Sequence, residues 1–227
     1  MRIRNFNSVK VARLALAQLV IVLSGLYLRI ETAYAVPCQL NNMNKVTLKN
    51  PNELIFDNTR NFLFLANAGT SQVVKFQVVR NPQGHAVNLN PVACVANGIA
   101  GPTRLLLDST GKLFVVNTTN NTITVYNANA VNMDMIPADT IESGLDRPLG
   151  IAMDNDKNLY VANNASNTIV VFKPRPGGGF VINSNTNNGK PLTQDGAGNN
   201  FLAPGVIFFS SVTGDLYVRL GPTTVQD

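Results

Sequence analysis

Histidine occurs once and cysteine twice in this chain of 227 residues. A zinc centre built from the usual His and Cys ligands therefore has too few donors. The lone histidine, His85, falls in Asn81-Pro82-Gln83-Gly84-His85, which reads as an exposed turn between outer strands and not as a catalytic position. Nucleophile elbows, paired catalytic carboxylates and phosphate-cradling loops are missing too. Gly177-Gly178-Gly179 follows Pro174 and Pro176 with no helix to open, so it reads as linker. Charged residues are sparse at 14%, and the formal net charge of +5 is unevenly placed. Residues 1–35 hold five basic residues against Glu31, leaving +1 for the rest. A nearly neutral body offers no electrostatic footprint for a phosphate backbone, which excludes a nucleic-acid partner.

The basic N-terminal segment has the layout of a secretory signal. Basic residues run to Arg13, an apolar stretch covers Leu14 to Leu28, and Ala33-Tyr34-Ala35 is a small-x-small cleavage site. The reading is a signal peptide over 1–35 and a mature domain over 36–227, periplasmic or secreted, with no stable membrane insertion after cleavage. An uncleaved anchor is the alternative, since Val11 to Leu28 gives 18 mostly apolar residues, interrupted by Gln18 and Ser24. Export makes Cys38 and Cys94 candidates for one disulfide that ties the mature N-terminus to the first repeat, against the alternative of two separate thiols.

What the chain has in quantity is one strand-building phrase, four times over. The clearest copy is Pro148-Leu149-Gly150-Ile151-Ala152-Met153-Asp154, then Leu159-Tyr160-Val161-Ala162-Asn163, then Thr168-Ile169-Val170-Val171-Phe172. Copies begin also at Pro51, Pro102 and Pro204, so the four prolines lie 51, 46 and 56 residues apart. Repeats of that period are blades of a β-propeller, each too small to bury both faces alone. The predicted fold is all-β, with about four recognisable blades, each a four-stranded antiparallel sheet.

Proline opens each innermost strand, where its missing N–H does little harm. A continuous apolar run follows, as in a strand buried on both faces. Asp57, Asp108 and Asp154 then mark turns; the weaker fourth copy has Ser210 there. Residues 174–200, dense in Gly, Asn and Pro, read as a long loop with one short strand at Phe180 to Ile182. The last copy lacks its outer strand. Either Lys45-Val46-Thr47-Leu48 supplies it and closes a four-bladed ring, or the blades form an open arc with exposed edges that permit self-association.

Pro148 to Asp154 with Leu159 to Asn163 resembles the NHL repeat, and Tyr160-Val161-Ala162-Asn163-Asn164 through Ile169 resembles the YVTN repeat of secreted propellers. The resemblance implies a binding scaffold with a protein or glycan partner. Some relatives are lactonases or streptogramin-type lyases, which place metal or acid–base residues at the central channel.

Three recurring features are candidates for that channel. Asn67, Asn117 and Asn163 hold the same place in three copies and would form a ring of amide ligands, or solve a repeated turn problem instead. Glu53 and Arg104 each stand two residues after their proline, where charges would face each other at the channel. The expectation is a non-catalytic scaffold without cofactor. The alternative is a metal-dependent lactonase or lyase that uses Glu53, Asn117 and Asn163, with Ca²⁺ or Mg²⁺.

Overall fold

The computed structural model describes residues 19–23, 26–30, 46–130 and 137–221. The chain divides into two compact units, Met1–Val36 and Pro37–Asp227. In the first, β1 (Leu19–Leu23) pairs antiparallel with β2 (Leu26–Ile30). The expected cleavage site, Ala33 to Ala35, lies outside the described residues. Among the described residues no helix is long and apolar enough to cross a membrane.

The second unit is a row of antiparallel sheets in the order of the repeats. Blade 1 comprises β3 (Pro51–Asp57), β4 (Phe62–Asn67), β5 (Gln72–Arg80) and β6 (Ala86–Val95). Blade 2 comprises β7 (Pro102–Leu107), β8 (Lys112–Asn117), β9 (Thr122–Asn127) and β10 (Asp139–Ile141). Blade 3 comprises β11 (Pro148–Met153), β12 (Leu159–Asn163), β13 (Thr168–Pro174) and β14 (Phe180–Ile182). Blade 4 has two strands among the described residues, β15 (Ile207–Phe209) and β16 (Leu216–Val218). Residues 46–49 carry no strand, so they do not complete that blade.

The period-2 alternation of each innermost strand decides what packs against what. Residues three and five places after the proline face the preceding blade: Leu105 and Leu107 meet blade 1, Ile151 and Met153 meet blade 2, Ile207 and Phe209 meet blade 3. The residue four places after it faces the following blade, as Ile55, Leu106 and Ala152 do. Burial on both faces is why these runs are continuously apolar. At the free ends the same positions are bare. Leu54 is 58% exposed and Phe208 61% exposed, so the blades form an open arc.

Each turn aspartate does what its place in the phrase suggests. Asp108 Oδ1 accepts from the N–H groups of Thr110 and Lys112, each at 2.8 Å, and Asp154 Oδ1 accepts from Asn158 N at 2.8 Å. Asp57 adds an ion pair with Arg60 at 3.0 Å. Ser210 in blade 4 offers only a 3.3 Å contact from Thr213 N, a weaker turn. The 174–200 segment is anchored more than its composition suggests, because Ile169 and Leu192 exchange both backbone bonds at 2.8 Å.

Adjacent blades are also clamped by hydrogen bonds. The residue before each proline, Asn50, Gly101, Arg147 or Ala203, has a left-handed backbone with φ between 42 and 56°. The N–H groups of Arg147 and Ala203 donate to Asn121 and Asn167 of the preceding blade, each at 2.7 Å, and Gly101 N reaches Ser71 Oγ at 3.4 Å. The proline carbonyls are held as well: Pro102 by Asn52 at 3.0 Å, Pro148 by Thr118 at 2.6 Å and Pro204 by Asn164 at 3.4 Å.

Cys94 is disulfide-bonded. The chain's other cysteine, Cys38, lies outside the described residues.

Candidate functional site

Each innermost strand enters its sheet with an irregularity. The ladder slips between the proline and the second residue after it in blades 1, 2 and 3. Such a bulge re-aims a side chain at the mouth of a sheet. In blade 3 the re-aimed position is Gly150, and a Cβ there would stand 2.0 Å from Gly205 O of blade 4. Glycine is what lets those two backbones approach. In blades 1 and 2 the same position carries Glu53 and Arg104.

These two side chains meet as their spacing suggested. Arg104 Nε lies 4.0 Å from Glu53 Oε1, and both side chains are partly exposed. The other oxygen of Glu53 accepts the backbone N–H of Leu105 in the neighbouring blade. Burial pushes the Glu53 carboxyl above its ordinary value, opposed by the Leu105 hydrogen bond and the Arg104 charge. Arg104 donates from Nη1 to Thr103 O at 2.9 Å, while its Nε is buried and without a hydrogen-bond partner. A donor left that way is costly unless water or a ligand satisfies it.

Arg104 lines a cavity of about 300 Å³ at the proline ends of the four innermost strands. Asn52, Thr103, Leu149, Asn164 and Arg219 share its wall, together with Gly205 and Val206. Asn52 and Thr103 were not singled out in the sequence, although each sits beside a residue that was, and Asn164 entered there only as part of the YVTN-like phrase. Arg219 gives no signal there, because it belongs to the most degraded repeat.

The three recurring asparagines do not join this wall. Asn67, Asn117 and Asn163 are 0, 0 and 2% exposed, inside their blades. Asn117 Oδ1 accepts Ala100 N at 3.1 Å and its Nδ2 donates to Gly98 O at 3.1 Å. Asn163 treats Asp146 N and Gly144 O the same way, at 3.1 and 2.8 Å, and Asn67 treats Lys49 N and Thr47 O the same way, at 2.7 and 2.8 Å. Each amide therefore fastens the loop that leads into its own blade's proline. The proposed ring of amide ligands is corrected accordingly, since those atoms are committed to backbone.

The donor set does not fit Ca²⁺ or Mg²⁺ either, as these ask for several oxygen ligands including carboxylates. Beside this cavity the one carboxylate, Glu53, is accompanied by a guanidinium, and no group of three or more His, Cys, Asp or Glu converges among the described residues. His85 lies exposed on the β5–β6 hairpin, its N–H held by Asn81 Oδ1 at 2.9 Å.

One buried charge escaped the sequence reading. Lys75 on β5 is 1% exposed and donates to Ala128 O and Ala130 O of blade 2, at 2.9 and 3.1 Å. Its ammonium stands 3.9 Å from the centre of the Phe62 ring. Burial lowers its pKa from the ordinary lysine value. It lies towards the aspartate ends of the strands, away from the cavity, so it reads as a seam anchor.

A family model for the seven-bladed β-propeller lactonases matches residues 40–187, more than half of the chain. This finding overturns the expectation of a non-catalytic scaffold. Among solved structures, one assigned as a 6-phosphogluconolactonase from Bacteroides uniformis is similar at 13% identity and a TM-score of 0.56, covering 78% of this chain and 52% of that one. A second, with the same assignment, from Bacteroides fragilis, is similar at 16% identity and a TM-score of 0.51, covering 74% and 47%. A protein from Lactobacillus plantarum is similar at 13% identity and a TM-score of 0.50, covering 80% and 59%. At such identities the likeness shows the propeller fold, and this chain spans about half the length of the first two structures. No curated protein matches it in sequence.

Proposed function

Since the chain belongs to the seven-bladed β-propeller lactonase family, we propose that it opens lactone rings by hydrolysis at the cavity lined by Arg104, the ion-pair partner of Glu53. The observation that carries this reading is the Arg104 side chain on the cavity wall with the Glu53 carboxylate 4.0 Å from its Nε. The NHL- and YVTN-like phrases are, on this reading, the blade repeat of a lactonase. Residues 1–35 support export to the periplasm or beyond.

The chemistry asks for little. Water adds to the ester carbonyl carbon, the ring C–O bond breaks, and a hydroxy acid leaves. Glu53 takes the proton of the attacking water and returns it to the departing ring oxygen. Burial strengthens it as a base by disfavouring its ionised form. Arg104 donates to the carbonyl oxygen as negative charge gathers there. Asn52, Thr103 and Arg219 supply donors around the ring hydroxyls, and Leu149 gives an apolar side to the cavity. No step runs through a metal ion, because the described residues do not form a site for one.

The test is hydrolysis of a panel of sugar-acid γ- and δ-lactones by the purified chain, read by proton release. Glu53→Gln should lower kcat about 10²–10⁴-fold with KM little changed. In the parent the acid limb of the pH profile should lie above the ordinary glutamate pKa of 4.5, since the folded pKa is raised. Retention of parental kcat/KM by Glu53→Gln, or no turnover of any lactone, would remove this site from the account.

A further inference from the structure

The two ends of the arc expose the two halves of a contact that its interior makes three times. At the first end, Leu54 and Phe56 stand three and five residues after Pro51, 58% and 38% exposed. Their counterparts in the later blades are the pairs that pack against the preceding blade. At the other end, Phe208 stands four residues after Pro204, and its ladder partner Tyr217 is 54% exposed. Their counterparts, Ile55 with Phe64, Leu106 with Phe114 and Ala152 with Tyr160, each face the following blade. One end is therefore a face that expects a preceding blade, and the other a face that expects a following one.

Two further features point the same way. The clamp on the pre-proline N–H is made for Gly101, Arg147 and Ala203, but among the described residues no such side chain reaches Asn50, the fourth left-handed residue of the set. On blade 4, Arg219 N bonds to Val206 O and Ser210 N to Asp215 O, so alternation turns the main-chain groups of Leu216 and Val218 to the outer edge of β16. No strand pairs with that edge among the described residues. Free edges and bare apolar faces are templates for association.

We propose that blade 4 of one copy packs on blade 1 of a second copy, and the reverse, closing a two-copy ring. The contact is head to tail, and with two copies it closes. A second copy is the occupant that already carries the complementary face, in the geometry used at every interior seam. Two arcs bring eight sheets, six of them four-stranded, within the range of about 4–8 blades over which propellers close. The inference rests on packing and stands apart from the proposed lactone chemistry.

The test is the mass of the purified full-length chain by size-exclusion chromatography with light scattering across a dilution series, with circular dichroism as a check of folding. The expected mass is that of two chains, dissociating to one on dilution. Leu54→Lys and Phe208→Asp change exposed side chains, and each alone should give one-chain mass with an unchanged spectrum. Mixed, they should recover the two-chain species, because one contact then sets the introduced lysine against the introduced aspartate while the other is parental. One-chain mass for the parent, two-chain mass for either variant, or failure of the mixture to recover would overturn the proposal.

Discussion

The seam between blades 1 and 2 and the seam between blades 3 and 4 are built from the same phrase and hold together by different means. The first contains a large apolar cluster from Phe64 to Ala128, bordered by Glu53 and Arg104 at one end and Lys75 at the other. The second buries little more than Ala152, Ala162 and Ile207, and its backbones run so near each other that a Cβ on Gly150 would collide with Gly205 O. The repeat geometry thus specifies where blades meet but not what meets there. A charge at the bulged position gives a site, whereas a glycine there gives proximity.

The largest effect that would break this contrast is expected at Lys75. Lys75→Ala strands the carbonyls of Ala128 and Ala130 and empties a buried volume, so it should cost about 3 kcal/mol in urea unfolding. A cost no larger than that of a surface change, about 0.5 kcal/mol, would demote the anchor.

Next comes Gly150→Val. Its Cβ collides with a backbone oxygen that cannot swing aside, so the last seam should weaken by about 2 kcal/mol. Limited proteolysis should then cut residues 204–221 faster while blades 1 and 2 stay protected. Equal protection of both regions would show that the seams are not independent.

The smallest effect sharpens the first seam. Tyr126 is buried, donates its hydroxyl to Asn97 O, and is pushed up to about 12 by burial. The unfolded chain ionises it near 10.0, so its contribution is whole below that pH and is lost as pH rises through about 12. Tyr126→Phe should cost about 1 kcal/mol at neutral pH and flatten that alkaline slope. An unaltered slope would assign it to other groups.

Much of this is legible in the sequence. The prolines announce the innermost strands, and the apolar run after each one encodes two different neighbours through its odd and even places. Glu53 and Arg104 were legible as a pair because they break that run at equivalent places in adjacent repeats. The asparagines allowed two readings because recurrence marks a shared task without naming it, and the task is the structural one of fastening a loop inside the blade. Lys75 left only a faint trace, a lysine between Val74 and Phe76 in a strand otherwise apolar at its centre. Its partners are carbonyls about fifty residues away, and backbone acceptors have no side-chain signature. Arg219 was hidden for the opposite reason, since it stands in the weakest repeat, which has Ser210 in place of the turn aspartate.

The clamps between blades all point one way along the chain: Ser71 serves Gly101, Asn121 serves Arg147, and Asn167 serves Ala203. A polypeptide that leaves the ribosome N-terminus first therefore presents each receptor before the group it receives. Each blade thus carries the receptor for the blade that follows it, and the arc has a built-in polarity.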